Sequence, residues 1–83
     1  MHVPRKIDGR EATLRTKQYF EESLGSFGVI SFEIKSVKFD DVKSLWEVLC
    51  SFERGFSGQA VSYQVTLKED GDIVSVKQLM NTV

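Results

Sequence analysis

The sequence has few of the side chains on which enzymes and metal proteins most often depend. Its 83 residues include one cysteine, Cys50, and one histidine, His2. A single cysteine excludes an internal disulfide and the cysteine-rich zinc motifs. A single histidine next to the N terminus offers little to a catalytic triad or to a histidine-based metal site. We therefore expect a protein that is not an enzyme and that has no cofactor and no bound metal.

Long apolar runs and an excess of charge of one sign are missing as well. Eleven Lys and Arg residues nearly balance twelve Asp and Glu residues, so the formal net charge is -1. No apolar run approaches the roughly 18 residues that span a bilayer, and no signal-peptide pattern follows Met1. These features predict a cytoplasmic chain without a membrane segment. The length predicts a single domain over residues 1–83.

The N-terminal part of the chain has the pattern of one helix. Residues 1–7 contain the only proline and show no periodicity, so they are predicted to form a flexible arm. Asp8 followed three residues later by Glu11 is typical of a helix N-cap. Apolar residues then recur at helical spacing, and Gly25 stands where a C-cap glycine is favoured. We predict a helix over residues 8–25.

Beyond the helix the spacing of apolar residues changes to alternation, which indicates β-strands. Four such stretches lie within residues 29–80, separated by short connections. Asp70 and Gly71 form a pair that is typical of a tight hairpin turn. Because short connections favour antiparallel neighbours, the strands are predicted to form a meander. The fold class is therefore α+β, a two-layer domain with one N-terminal helix packed on a four-stranded antiparallel sheet.

Alternation along the predicted strands also assigns residues to the two faces of the sheet. Ile34 and Val37 fall on opposite parities, which predicts either a bulge near Lys35-Ser36 or a strand that is covered on both faces. Cys50 shares the core-facing parity of its strand, and an apolar setting raises the pKa of a thiol, so we interpret it as a core residue. The other residues assigned to the core are Trp46, Val48, Phe52, Tyr63 and Val65.

Some apolar residues fall on strand positions that a single helix cannot cover. An uncovered apolar sheet face marks an interaction surface, unless its residues are the scattered apolar residues that every surface carries. We predict the first: a protein-interaction or assembly domain that self-associates or docks on a larger protein. The residues predicted for this surface and its rim are Leu45, Leu49, Phe56, Val74 and Val76.

An uneven distribution of charge gives an alternative function. Residues 1–18 contain five Lys or Arg residues and two acidic residues, a net charge of +3, which leaves -4 for the rest of the chain. A basic segment of this kind either neutralises the phosphates of a nucleic acid or forms a solvated helix face. The residues of a nucleic-acid-binding module would be Arg5, Lys6, Arg10, Arg15 and Lys17.

Two acidic clusters raise the question of a metal-dependent enzyme. Asp40 and Asp41 form one, and Asp70 and Asp72 belong to the other. Carboxylate oxygens bind hard cations, but the second cluster does not match the twelve-residue EF-hand loop. Hairpin turns are commonly acidic, so we interpret both clusters as turns.

Four segments of the chain together form a family-like pattern. They are Trp46-Glu47-Val48, Glu53-Arg54, Tyr63-Gln64-Val65-Thr66-Leu67 and Asp70-Gly71-Asp72-Ile73. Over about residues 12–77 the chain resembles the W-x-V … Y-x-V-x-L-x-x-x-G-x-I pattern of small PepSY-like and gas vesicle protein O-like domains. The resemblance implies a helix on an antiparallel meander and a non-catalytic role in binding, inhibition or assembly. The chain lacks the proline after the Glu-Arg pair and the basic-aromatic C-terminal tail of the gas vesicle relatives.

Overall fold

The computed structural model describes residues 6–25, 28–55 and 58–79, which form one helix followed by four strands. The elements are α1 (Gly9–Leu24), β1 (Ile30–Asp40), β2 (Leu45–Glu53), β3 (Ala60–Lys68) and β4 (Ile73–Leu79). The sheet order is β1-β2-β3-β4, with every neighbouring pair antiparallel. The helix packs on one face of this sheet, so the predicted two-layer α+β meander is confirmed.

Helix α1 is bounded by the two caps that the sequence predicts. The Asp8 side chain accepts a hydrogen bond from the Glu11 backbone N–H at 2.8 Å, which satisfies one of the free amides of the first turn. Gly25 follows the helix with φ 78°, a conformation that favours glycine, and its N–H donates to the Glu21 carbonyl at 2.9 Å. In the part of the chain that the structure describes, no helix has both the length and the apolar character needed to cross a membrane.

The segment before the helix is more ordered than the sequence predicts. Ile7 is buried and belongs to the core cluster. Its backbone N–H donates to the Glu69 carbonyl at 2.8 Å, and Lys6 Nζ lies 3.2 Å from the Glu69 carboxylate. The prediction of a flexible arm is therefore wrong at Ile7, because this side chain finds apolar neighbours and its amide pairs with the β3–β4 turn. Residues 1–5 lie outside the described residues.

A bulge in β1 turns the end of that strand toward the helix side of the sheet. The β1–β2 register shifts between Ile34 and Ser36, at the position where the sequence predicts a bulge. Beyond the shift, Val37 pairs with Val48 and Phe39 pairs with Trp46. Directly paired residues of antiparallel strands share a face, so Val37 and Phe39 lie on the helix side although their parity differs from that of Ile34.

The core lies between α1 and the middle of the sheet. Phe20 of the helix packs against Phe52 and Tyr63, with ring centroids 5.0 Å and 4.8 Å away. The Phe52 and Tyr63 rings are themselves stacked at 5.6 Å. Thr16 is fully buried beside them and donates its hydroxyl to the Ala12 carbonyl at 2.8 Å. The remaining buried apolar residues are Ile7, Ala12, Val48, Cys50, Val61, Val65 and Leu67.

A second bulge corrects the predicted orientation of β4. Thr66 pairs with Ser75 but Leu67 pairs with Ile73, so Val74 is an extra residue in β4. The extra residue brings Val76 opposite the core residue Val65, and Val76 packs against the core. The prediction that Val76 lies on the uncovered face is therefore wrong. Strict alternation from Ile73 missed the inserted residue.

Candidate functional site

The sheet face that α1 does not cover, here called the open face, is centred on β2. Leu49 lies between Ser36 of β1 and Gln64 of β3, its paired residues. Leu45, four residues earlier on the same strand, also faces this side, and both leucines are half-buried. Leu49 is therefore the apolar centre of the open face, and Leu45 extends it to the end of the same strand.

Charged residues of both signs surround these leucines. Lys38 of β1 pairs directly with Glu47 of β2, which lies between the two leucines. Asp40 and Lys68 are the two neighbours of Leu45 across the strands. Lys77 of β4 pairs with Gln64 farther along the sheet. The open face thus combines an apolar centre with a mixed-charge surrounding, and neither sign dominates it.

The structure brings together only part of the predicted interaction surface. Leu45 and Leu49 lie on the open face as predicted, Val76 lies on the other face, and Phe56 lies outside the described residues. Val74 is 53% exposed at the β4 bulge. The β3–β4 register also places Leu79 on the open face, because Leu79 pairs with Ser62. Sequence alternation missed Leu79 because the bulge at Val74 shifts the parity of every later residue in β4.

Carboxylates already pair with two of the basic residues of the alternative function. Arg15 lies 3.2 Å from the Glu11 carboxylate, and its guanidinium lies against Gly71. Lys6 is paired with a carboxylate of the β3–β4 turn, as described above. Arg10 and Lys17 are exposed on the helix, about 10 Å apart along its axis, and Arg5 lies outside the described residues. Two of the four described cations are thus already paired with carboxylates, which lowers the support for a phosphate-binding surface.

A second feature is an open pocket at the N-terminal end of α1, here called the aromatic pocket. Its volume is about 430 Å³, within the range of about 300–1,000 Å³ that is usual for ligand sites. The Phe39 and Trp46 rings lie side by side, with centroids 5.1 Å apart and planes inclined by 57°. The described residues that line the pocket are Lys6, Ile7, Phe39, Asp41, Ser44, Trp46 and Glu69.

Three chain segments hold the aromatic pocket in shape. The Asp40 carboxylate accepts hydrogen bonds from the backbone N–H groups of Val42 and Lys43, at 3.0 Å and 3.1 Å, and so fixes the β1–β2 turn. The backbone pairing of Ile7 with the β3–β4 turn fixes the opposite wall. At the start of the helix, a Cβ on Gly9 would lie 3.5 Å from the Trp46 ring, so the first turn of α1 packs closely on the indole.

Cys50 and the two acidic clusters have structural roles here. Cys50 is a buried free thiol, and burial raises its pKa to about 11, so it carries almost no thiolate at neutral pH. Asp70 accepts a hydrogen bond from the Asp72 N–H at 3.0 Å, as Asp40 does in its own turn. Among the described residues, no group of three or more His, Cys, Asp or Glu side chains is placed to hold a metal ion.

Comparison with known proteins does not assign this chain to a family. No protein-family model matches the sequence, and neither the curated proteins nor the solved structures include a significant match. The resemblance to PepSY-like and gas vesicle protein O-like domains thus stays a prediction. Functional inference rests on the open face and the aromatic pocket.

Proposed function

We propose that this chain is a small, non-catalytic protein-interaction domain that self-associates in the cytoplasm through the open face of its sheet. The observation that carries the proposal is the position of Leu45 and Leu49. Both lie on β2, inside the sheet, on the face that the only described helix leaves uncovered. Leu49 lies at the centre of the face rather than at its rim, as the apolar residues of an interface core do.

The charge pattern favours a second copy of the chain as the partner. A two-fold axis places the open face of one protomer against the open face of the other, so the charged residues of this face meet one another across the interface. An open face of one sign would repel its copy. This face has Lys38, Lys68 and Lys77 together with Asp40 and Glu47, which allows a lysine of one protomer to meet a carboxylate of the other.

The size of the open face sets the expected strength of association. Four strands about 4.8 Å apart and about seven residues long give a footprint of roughly 450 Å² for each protomer. A dimer would then bury about 900 Å², below the roughly 1,200 Å² at which standard interfaces begin. We therefore expect a weak dimer whose population depends on protein concentration. Most of its stability would come from the two leucines, Leu49 above all.

Leu49→Lys is expected to weaken dimerisation at least a hundredfold and to leave the fold intact. Each protomer would lose about 1.5 kcal/mol of apolar burial, and the two symmetric copies would lose about 3 kcal/mol together. Two lysines placed near the axis would also repel each other. Sedimentation equilibrium of the wild-type and variant proteins measures the change, and far-UV circular dichroism reports the fold.

Val42→Lys is the matched control for this experiment. Val42 is 95% exposed at the tip of the β1–β2 turn, outside the open face, so the same change in side chain should leave dimerisation unaltered. Equal weakening by both variants would mean that added positive charge, not the open face, is responsible. Unfolding of the Leu49→Lys variant would mean that Leu49 stabilises the monomer itself. Either result would contradict the proposal.

A further inference from the structure

We propose that the aromatic pocket is a second binding site, which accepts an arginine side chain of a partner polypeptide. The pocket lies on the helix side of the sheet, because Phe39 and Trp46 pair with each other and Trp46 shares the face of Val48. It is therefore separate from the open face and goes beyond the proposed self-association.

The two aromatic rings supply the apolar surface that a guanidinium prefers. Phe39 is 37% exposed and Trp46 is half-buried, although both have large apolar rings. Their inclination of 57° makes an open angle rather than a closed stack. A planar cation can lie on one ring and meet the other, which combines stacking with a cation–π interaction.

The charges around the pocket favour a cation over an anion. Its lining has two carboxylates, Asp41 and Glu69, and one ammonium group, Lys6. Lys6 and Glu69 pair at 3.2 Å and offset each other, and this leaves the negative charge of Asp41. The summed charge of these three lining groups is -1.

The surroundings of the pocket favour a polypeptide over a small free cation. Val42 follows Asp41 directly and is 95% exposed on a turn that the Asp40 carboxylate fixes. A rigid, exposed apolar side chain next to the pocket gives a partner backbone or apolar side chain a contact beyond the arginine itself. The Lys6 side chain is 79% exposed although it lines the pocket, so it does not close the pocket to a partner side chain.

A peptide titration followed by NMR tests this proposal. The chain has one tryptophan, so a single indole N–H signal reports on Trp46. We expect the peptide acetyl-Gly-Arg-Gly-amide to shift this signal with a dissociation constant of the order of millimolar, since one side chain makes few contacts. The same peptide with citrulline, which keeps the shape and loses the charge, should bind at least about tenfold more weakly.

Two charge variants of equal net charge locate the site. Asp41→Asn is expected to weaken binding of the arginine peptide about threefold to fivefold, as befits a partly exposed ion pair. Glu53→Gln removes a carboxylate at the far end of β2 and should leave binding unchanged. Equal effects of the two variants would overturn the proposal. So would a Trp46 signal that does not move, or equal binding of the citrulline peptide.

The outcome is independent of whether the domain self-associates. The Leu49→Lys variant, which should be monomeric, is expected to bind the arginine peptide as the wild-type protein does. Loss of peptide binding in that folded variant would place the peptide on the open face and would contradict the aromatic pocket as its site.

Discussion

Replacing Phe52 with alanine is expected to lower the free energy of unfolding by about 3–5 kcal/mol, the usual cost of a large cavity in a core. Phe52 is 2% exposed, and its ring contacts those of Phe20, Phe32 and Tyr63. It joins the helix to three of the four strands. A domain of 83 residues has a total stability of only about 4–12 kcal/mol, so the variant should lose at least about a quarter of its stability.

Urea denaturation followed by far-UV circular dichroism measures this loss. Phe39→Ala is the matched control, because Phe39 is a strand residue of the same type that is 37% exposed. It should cost at most about two thirds as much, roughly 2–3 kcal/mol, because it buries less area and its removal leaves an open site rather than a closed cavity. Similar losses for the two variants would mean that the core is not centred on the cluster around Phe52.

The stability of the protein is expected to fall between pH 9 and pH 11 because of Cys50. Burial holds the pKa of this thiol at about 11 in the folded protein, against 9.0 when it is exposed. Below pH 9 both states keep the proton and the full stability is present. Above pH 9 only the unfolded state releases the proton, so unfolding becomes more favourable until the folded thiol also ionises. The expected loss from this group is about 2–3 kcal/mol.

Comparison with Cys50→Ala isolates the contribution of the thiol. Every other ionisable side chain is the same in both proteins, so the difference in the pH dependence belongs to Cys50. The variant should start from a lower stability, because alanine leaves a small cavity, and should lose less between pH 9 and pH 11. Parallel curves for the two proteins would contradict a raised pKa.

Local signals account for the parts of this fold that sequence predicts well. The Asp8 cap, the Gly25 stop and the alternation of β3 each depend on neighbours within a few residues, and each is confirmed. The bulge of β1 is also indicated by the sequence, because the apolar residues Ile34 and Val37 fall on opposite parities of one strand. Chain order with short connections then leaves little choice but an antiparallel meander.

The features of the fold and of the candidate sites that the sequence does not predict depend on pairing between distant residues. Val74 is an extra residue in β4, and only its register against Thr66 and Leu67 shows that Val76 turns inward. The aromatic pocket also depends on distant contacts, since its lining residues Ile7, Trp46 and Glu69 come from three separate segments. Alternation places Trp46 on the core side but does not show that the first turn of the helix covers only part of its ring. The open face is predictable at Leu45 and Leu49, on an unbulged strand, and not in β4.

The solution mass of the wild-type protein tests the central claim, self-association through the open face, most directly. We expect light scattering to give a mass that rises with concentration from 9.4 kDa toward twice that value. The rise should persist at high salt, because leucine burial does not depend on charges that salt screens. A mass that stays at 9.4 kDa up to the highest concentration, at low and high salt alike, would contradict the claim.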